Sequence, residues 1–299
     1  MPKITLDINH PPVHSVLKKF VPTFLGVGVL QVLGLVNTGF ASLLDPGALS
    51  YINLADRLLE LPMSLIAVSL GTTLLPTLST YWASGEKDNL VLCLQKHFQL
   101  FYFLALPAAF GLWFIGSDII SVLFSRGEFT ASEVPIVAMI LKIYCLTLLA
   151  AGSMKIFNQG FYAMGDTKTP AYIALMGLII HLILAPILMN WWALKGLILS
   201  TASISLINVC TGVFILQKRL SSLDWNRLAQ HFVRCFVAAS VMGIYLFALS
   251  HWSWRQGRFL LDFPVLILLV ALAGLLYFGA AMLLQVDELE IIMKKIKKR

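Results

Sequence analysis

The sequence predicts an all-α integral membrane protein, a polytopic helical bundle of about eight transmembrane helices. Three observations lead there. Of 299 residues, 59% are hydrophobic and 12% charged, whereas soluble domains carry about 25% charged residues; mean hydropathy is +0.84. Stretches apolar and long enough to span a bilayer, which takes about 17–25 residues, fall near 20–44, 50–79, 97–116, 133–157, 170–190, 193–216, 230–250 and 260–285. Helix is the expected state of each, because lipid offers the backbone no hydrogen-bond partner. The third observation is a sorting of charge by side. Sixteen basic residues flank the spans on one side, among them Lys3, Lys18, Lys19, Lys87, Lys96, Lys155, Lys168, Lys218, Arg219, Arg227 and Arg234, against four (Arg126, Lys195, Arg255, Arg258) on the other. Basic residues favour the cytoplasmic side, so both termini are expected in the cytoplasm. The expected organisation is then a cytoplasmic segment 1–19, a six-helix lobe 20–216, a basic loop 217–229, a helical pair 230–285 and a basic tail 286–299.

The same composition excludes several classes. Cys93, Cys145, Cys210 and Cys235 are scattered in or beside apolar segments without a CxxC or Cys/His cluster, which fits small buried hydrophobes rather than a disulfide frame or metal site. The polar amino terminus lacks a short apolar core with a small-residue cleavage site, so the first span is expected to stay in place. There is no GxxxxGK[ST] loop, HExxH or GxSxG, so neither an enzyme nor a cofactor is expected. The net charge of +7 is dispersed around span ends. Anionic membrane lipids explain that pattern, and nucleic acid does not.

Taken in order, the first span is Gly-rich (Gly26, Gly28, Gly34, Gly39) with Gln31, Asn37 and Thr38 as its strongly polar members; such spacing permits close helix approach. Asp45-Pro46-Gly47 makes a tight turn into the stretch Ser50–Ser79, around which the chain is organised. This apolar run carries Asp56, Arg57 and Glu60 about a third of the way along. Arg57 and Glu60 share a helical face at i, i+3, and Asp56 and Glu60 an adjacent one at i, i+4. Asn53 and Ser64 extend the polar seam by a turn at either end, and Leu58, Leu59, Leu61, Leu65 and Ile66 cover the other sides. An ionisable group deep in hydrocarbon costs at least about 2.5–3.5 kcal/mol. By default it faces water or a partner and marks a function. Pro62 interrupts the backbone hydrogen bonds just beyond the charges. A structural staple of Arg57 on Glu60 is the plainer alternative, though it leaves Asp56 without a role.

The third span, with Pro107, is followed by Gly116-Ser117-Asp118 and an apolar piece, Ile119–Phe129, expected as a short helix in the outer interface. Lys142, in the fourth span, lies at a depth like that of Arg57 and is a candidate lining residue of the same cavity; snorkelling or pairing is its other reading. The segment from Asn158 to Pro170 reads as a rigid cytoplasmic elbow, with Asp166 and Thr167 available to cap the next helix. His181, in mid-span, is read first as a hydrogen-bonded packing residue. Trp191, Trp192, Trp252 and Trp254 fall at outer span ends, as an aromatic belt does. The last two spans are expected to be uncharged inside, facing lipid or an apolar ligand, and the basic tail to lie on the inner leaflet.

ADRLLELP followed by SLGTTLLPTLS, NTGFAS at the end of the first span, and GFYAMGDTKTP together resemble the MurJ/MviN family of lipid II flippases, within the MOP (multidrug/oligosaccharidyl-lipid/polysaccharide) exporter superfamily. The resemblance runs over nearly the whole chain. It implies a MOP/MATE-like half-transporter: the second six-helix lobe plus the two extra helices that form a groove for a polyprenyl tail, with the six-span first lobe absent. It also implies lipid II, the undecaprenyl-diphosphate-linked peptidoglycan precursor, as substrate, the bacterial inner membrane as location, Arg57 as a diphosphate contact, and Asp56 and Glu60 as essential charges of the same motif. Guanidinium suits bidentate diphosphate binding. Some members bind sodium between the first, fifth and sixth spans of this lobe through acidic and amide groups. Here the middle of span five offers Ala, Leu, Ile and His181, so that site is not expected. Another MOP-type exporter, of polysaccharide-linked lipids or of drugs and cations, is the alternative function; an enzyme of polyprenyl-phosphate chemistry is a third.

Overall fold

The computed structural model describes residues 28–29, 31–125, 129–220, 223–250, 254 and 259–286, with the backbone alone over 67–73. Expectations for the segment 1–19, for Trp252 and for the tail beyond Val286 lie outside the described residues. A first helical segment, α1, ends at 42. It is followed by α2 (Ala48–Ala83), α3 (Lys87–Phe124), α4 (Val134–Ala163), α5 (Lys168–Arg219), α6 (Trp225–Ser250) and α7 (Phe259–Leu283). Five of these, α3 to α7, are long and apolar enough to cross a membrane.

The turn into α2 is closed by Gly47, whose left-handed φ of 95° is open to glycine at no steric cost. The Tyr51 ring lies 3.0 Å from where a Cβ would project, so a side chain there meets both strain and a neighbour. Pro62 and Pro76 both sit inside α2, where each deletes one backbone hydrogen bond.

At 52 residues, α5 is too long for a single pass. It breaks at Trp192 and Ala193, where Ala193 takes φ 44° and ψ −123°. Contacts along the two limbs pair them from the break to their far ends: Gly196 lies against the Leu188 backbone and Gly177 against Ile204 and Asn208, Ser200 reaches His181 and Arg219 reaches Thr169. The two limbs, 168–191 and 194–219, are therefore an antiparallel hairpin that accounts for the two spans expected at 170–190 and 193–216. A Cβ on Gly196 would meet the Leu188 carbonyl oxygen at 2.0 Å. Only a residue without a side chain lets the second limb leave the turn this way.

Two expectations are corrected. The apolar piece after span three is no separate interfacial helix: α3 continues through Phe124, with Asp118, Ile120 and Val122 buried. Ile120 joins a cluster with Val134, Val137 and Leu141 of α4, and this burial carries the helix past a Gly-Ser-Asp sequence that reads locally as a turn. The last span is not free of charge either, since Asp262 is buried in the first turn of α7. Lys218 and Arg219 complete the last turn of α5, so the connection to α6 is short.

Three larger regions of packing hold the helices together. Ile52, Ala55 and Leu58 of α2 pack on Val137, Ile140, Leu141 and Tyr144 of α4. Leu74 and Leu78 of α2 join Leu90, Leu94 and Phe98 of α3 and Phe157 and Phe161 of α4. Phe103, Leu106 and Ile115 of α3 hold Ala238, Ala239 and Met242 of α6 and Ala273 and Tyr277 of α7. The Tyr277 hydroxyl donates to the Phe103 carbonyl at 2.7 Å, which satisfies a phenol in an apolar layer.

Candidate functional site

The helix that carries the charges is fixed by its apolar side. Ile52, Ala55 and Leu58 recur at helical spacing and are buried, which turns the opposite face outward. Asn53, Asp56, Arg57, Glu60 and Ser64 are all exposed there, beside Leu61 and Leu65, which are 61% and 76% exposed. Arg57 lies about 14 Å along the axis from Ala48 at roughly 1.5 Å per residue. Among the described residues it forms neither an ion pair nor a hydrogen bond, and the same holds for Asp56 and Glu60. The staple reading requires an Arg57–Glu60 contact, and none is made. Ser64 turns its hydroxyl back to the Leu61 carbonyl at 3.0 Å. A cation, two carboxylates and an amide thus stand on an open face, with no ion pair among the described residues.

That face continues onto α1. Ala41 packs inward against α2 and α4, whereas Leu35 and Leu43 are more than two-thirds exposed. Gly28, Gly34 and Gly39 meet nothing within 4 Å. The close packing expected of the glycine-rich span is not made among the described residues.

Lys142 stands elsewhere. It shares the depth of Arg57, but it lines a cleft of about 600 Å³ between α3 and α4, with Ser117, Ser121, Pro135 and Ala138 and no residue of α2. The structure does not bring Lys142 together with the seam. Depth follows from counting residues along one helix; azimuth depends on how two helices pack, which the sequence does not display.

His181 is fully buried. Its Nε2 donates to Asn37 Oδ1 of α1 at 2.9 Å, and Nδ1 lies 3.3 Å from Ser200 Oγ across the hairpin. Thr201 joins through Asn37 at 3.5 Å. Neutral groups that satisfy one another thus tie α1 to both limbs of the hairpin.

The elbow is a built joint. Asp166 Oδ1 accepts from the N–H groups of Lys168 and Thr169, both at 3.0 Å, and Oδ2 accepts from the Thr169 hydroxyl at 2.6 Å. Arg219, at the far end of the hairpin, pairs with Oδ2 at 2.6 Å. Thr167 makes no side-chain cap. Partial burial works to raise the Asp166 carboxyl; the hydrogen bonds from Thr169 and Lys168 and the charge of Arg219 outweigh it and hold the group below its ordinary value. At the opposite rim, the Tyr51 hydroxyl donates to Glu133 Oε1 at 2.9 Å. That tie between α2 and α4 joins two residues 82 apart, too far for local spacing to suggest.

Long apolar helices packed around α3 and α4, with ionisable groups on an outward face of α2, define a polytopic helical membrane protein. The model of the lipid II flippase MurJ family matches residues 1–268, and the chain belongs to that family. A probable lipid II flippase MurJ of Bdellovibrio bacteriovorus is 37% identical over 98% of this chain and 56% of its own length. The lipid II flippase MurJ of Burkholderia cenocepacia is 34% identical over 82% of this chain and 47% of its own. Among solved structures, a lipid II flippase MurJ in an inward closed conformation superposes with a TM-score of 0.72 at 25% identity, over 94% of this chain and 57% of that one. An outward-facing MATE transporter of the MOP superfamily shares the fold at a TM-score of 0.60 and 15% identity. The chain spans about half the length of the curated relatives it matches.

Proposed function

We propose that this chain is the second lobe and tail-groove pair of a lipid II flippase of the bacterial inner membrane, which moves an undecaprenyl-diphosphate-linked head group from the inner to the outer leaflet by alternating access. Membership of the family supports the substrate. The single observation that carries the site is the open seam: Arg57 makes no pair with Glu60 although Glu60 is one turn away. A guanidinium held at that depth without a partner is suited to a diphosphate arriving from the cavity side. Asp56 and Glu60 would position the sugar-peptide portion together with Asn53 and Ser64. Lys142, in its separate cleft, would act at another stage of the passage. The exposed apolar faces of α6 and α7, such as Ile244, Phe247, Ile267 and Leu268, would hold the polyprenyl tail.

A diphosphate carries two or more negative charges, and desolvating them costs several kcal/mol per ion. One arginine does not offset that cost. The remaining cations would come from a first lobe packed on the open face of α1 and α2. In this reading the elbow at Asp166 is cytoplasmic, from the sorting of basic flanks, and the basic ends lie against anionic lipid. The test is retention of lipid II by the chain co-purified with a six-span first lobe and observed by native mass spectrometry. Arg57→Ala should lose the bound lipid and Arg57→Lys should keep part of it, because an ammonium retains the charge but not the planar fork. Undiminished retention by Arg57→Ala would refute the assignment.

A further inference from the structure

A second site lies at the ends of α3 and α4 away from the elbow, in the cleft of about 600 Å³ that holds Lys142. Lys142 is exposed and, among the described residues, makes no ion pair or hydrogen bond. No carboxylate lines the cleft with it. Ser117 and Ser121 of α3 line the other wall, one turn apart on a single helical face. Serines elsewhere in these helices hand their proton to a carbonyl of the preceding turn, as Ser203, Ser205 and Ser240 do. Neither Ser117 nor Ser121 makes such a bond among the described residues, and both are half-buried and open to the cleft. One cation and two hydroxyls without partners thus converge on one space.

The surroundings are graded along the helix axes. Ser121, Ser117 and Trp113 lie roughly 5, 11 and 17 Å from the end of α3 at Phe124, and Lys142 and Leu146 roughly 12 and 18 Å from the start of α4 at Val134. Trp113 and Leu146, each a turn deeper than the last polar group of its helix, are both exposed. Polar contacts near the rim therefore give way to an apolar surface below, which describes a ligand with a charged head and a chain. Lys142 sets the sign of that head, and donors from three side chains suit the several oxygens of a phosphate. With 30 residues, α4 spans about 45 Å and, centred on a hydrocarbon layer of about 30 Å, overhangs it by roughly 7 Å at each end. Lys142 is then within one side-chain length of the head groups. The volume falls within the roughly 300–1,000 Å³ of small-ligand sites.

We propose that this cleft binds the phosphate of a membrane lipid in the leaflet opposite the elbow, with the Lys142 ammonium and the Ser117 and Ser121 hydroxyls donating to its oxygens and the chain running over Trp113 and Leu146. Two kinds of lipid carry that chemistry, a glycerophospholipid and a polyprenyl phosphate. The first would be a resident of the surrounding leaflet, and the second would make the cleft a stage of the passage proposed above. In either case the site is separate from Arg57, since no residue of α2 lines it.

The test uses the full chain, delipidated in detergent, and a phosphatidylglycerol with a photoactivatable group in its acyl chain, the crosslinked peptides being mapped by mass spectrometry. Labelling should fall on 113–121 of α3 and 139–146 of α4. A diacylglycerol with the same chains but no phosphate should label there about tenfold less. Lys142→Gln should lower labelling by the phospholipid about tenfold with the melting temperature unchanged, and Lys142→Arg should keep most of it. Ser117→Ala/Ser121→Ala should lower it about threefold. Arg57→Ala should leave it intact, so that failure of the seam assignment does not touch this site. Unlabelled phosphatidylglycerol and undecaprenyl phosphate then compete for the cleft; competition by either supports the site, and the stronger competitor identifies its source. Equal labelling of the cleft by the diacylglycerol and the phospholipid would overturn the proposal, as would labelling that survives in Lys142→Gln. Competition by inorganic phosphate at the same concentration as the lipids would overturn it too, by showing an ion site with no place for a chain.

Discussion

At the scale of single residues, the two best-defined charged positions behave in opposite ways. Asp166 is fully engaged, accepting four contacts from the first turn of α5 and from Arg219, whereas Arg57 and Glu60 make no hydrogen bond or ion pair among the described residues. A residue satisfied by its own chain is structural; one left unsatisfied awaits a ligand or a partner. Asp166→Ala removes a helix cap and an ion pair and is expected to cost about 1–2 kcal/mol, seen as a lower melting temperature. The carboxyl is held below its ordinary value, so its contribution is complete above the unfolded aspartate value of about 3.9. It fades only as pH falls from there through the lowered folded value. The gap in melting temperature between the parent and Asp166→Ala should therefore be constant from pH 5 to 8 and close in stronger acid. A gap that shrinks already between pH 7 and 5 would contradict this account.

At the scale of elements, the sequence displayed more of the scaffold than of the site. The two limbs of the hairpin were legible because each is a membrane-length apolar run and the tryptophans mark the break. The seam on α2 was legible from periodicity alone, since five polar positions recur on one side of an otherwise apolar helix. What could not be read depended on a second element: Asp118, Ile120 and Val122 are held in α3 by packing, and the rotation of Lys142 away from the seam is set by how α4 lies on α2 and α3. Two predictions belong here. Gly196→Ala places a methyl against the backbone of Leu188 and should destabilise the hairpin by about 3 kcal/mol or more, measured as loss of folded protein on size exclusion. Gly34→Ala meets nothing and should be neutral in the isolated chain. For the tail groove, a photoactivatable isoprenoid should crosslink to α6 and α7 more than to α2; labelling confined to α2 would count against the assigned roles.

At the scale of the whole molecule, the open side of α1 and α2 and the unneutralised seam are two aspects of one arrangement. Apolar residues such as Leu35, Leu61 and Leu65, together with glycines that have no neighbour, form a face suited to another helical surface, and the charges sit within that face rather than at its edge. A lobe docked there would complete a cavity around Arg57, Asp56 and Glu60 and supply the further cations that a diphosphate requires. Orientation is testable separately: a cysteine at position 166 should resist membrane-impermeant labelling from outside intact cells. The measurement that bears most directly on the central claim is growth of cells depleted of their lipid II flippase. This chain alone should not restore growth, and its co-expression with a six-span first lobe should; Arg57→Ala in that pair should abolish rescue, and Arg57→Lys should recover part of it. If Arg57 and Glu60 were only a structural pair, an apolar replacement would be tolerated, as it often is for buried ion pairs. Normal growth on an Arg57→Met/Glu60→Leu variant, expressed at parental level with the first lobe, would contradict the assignment of the seam to the substrate.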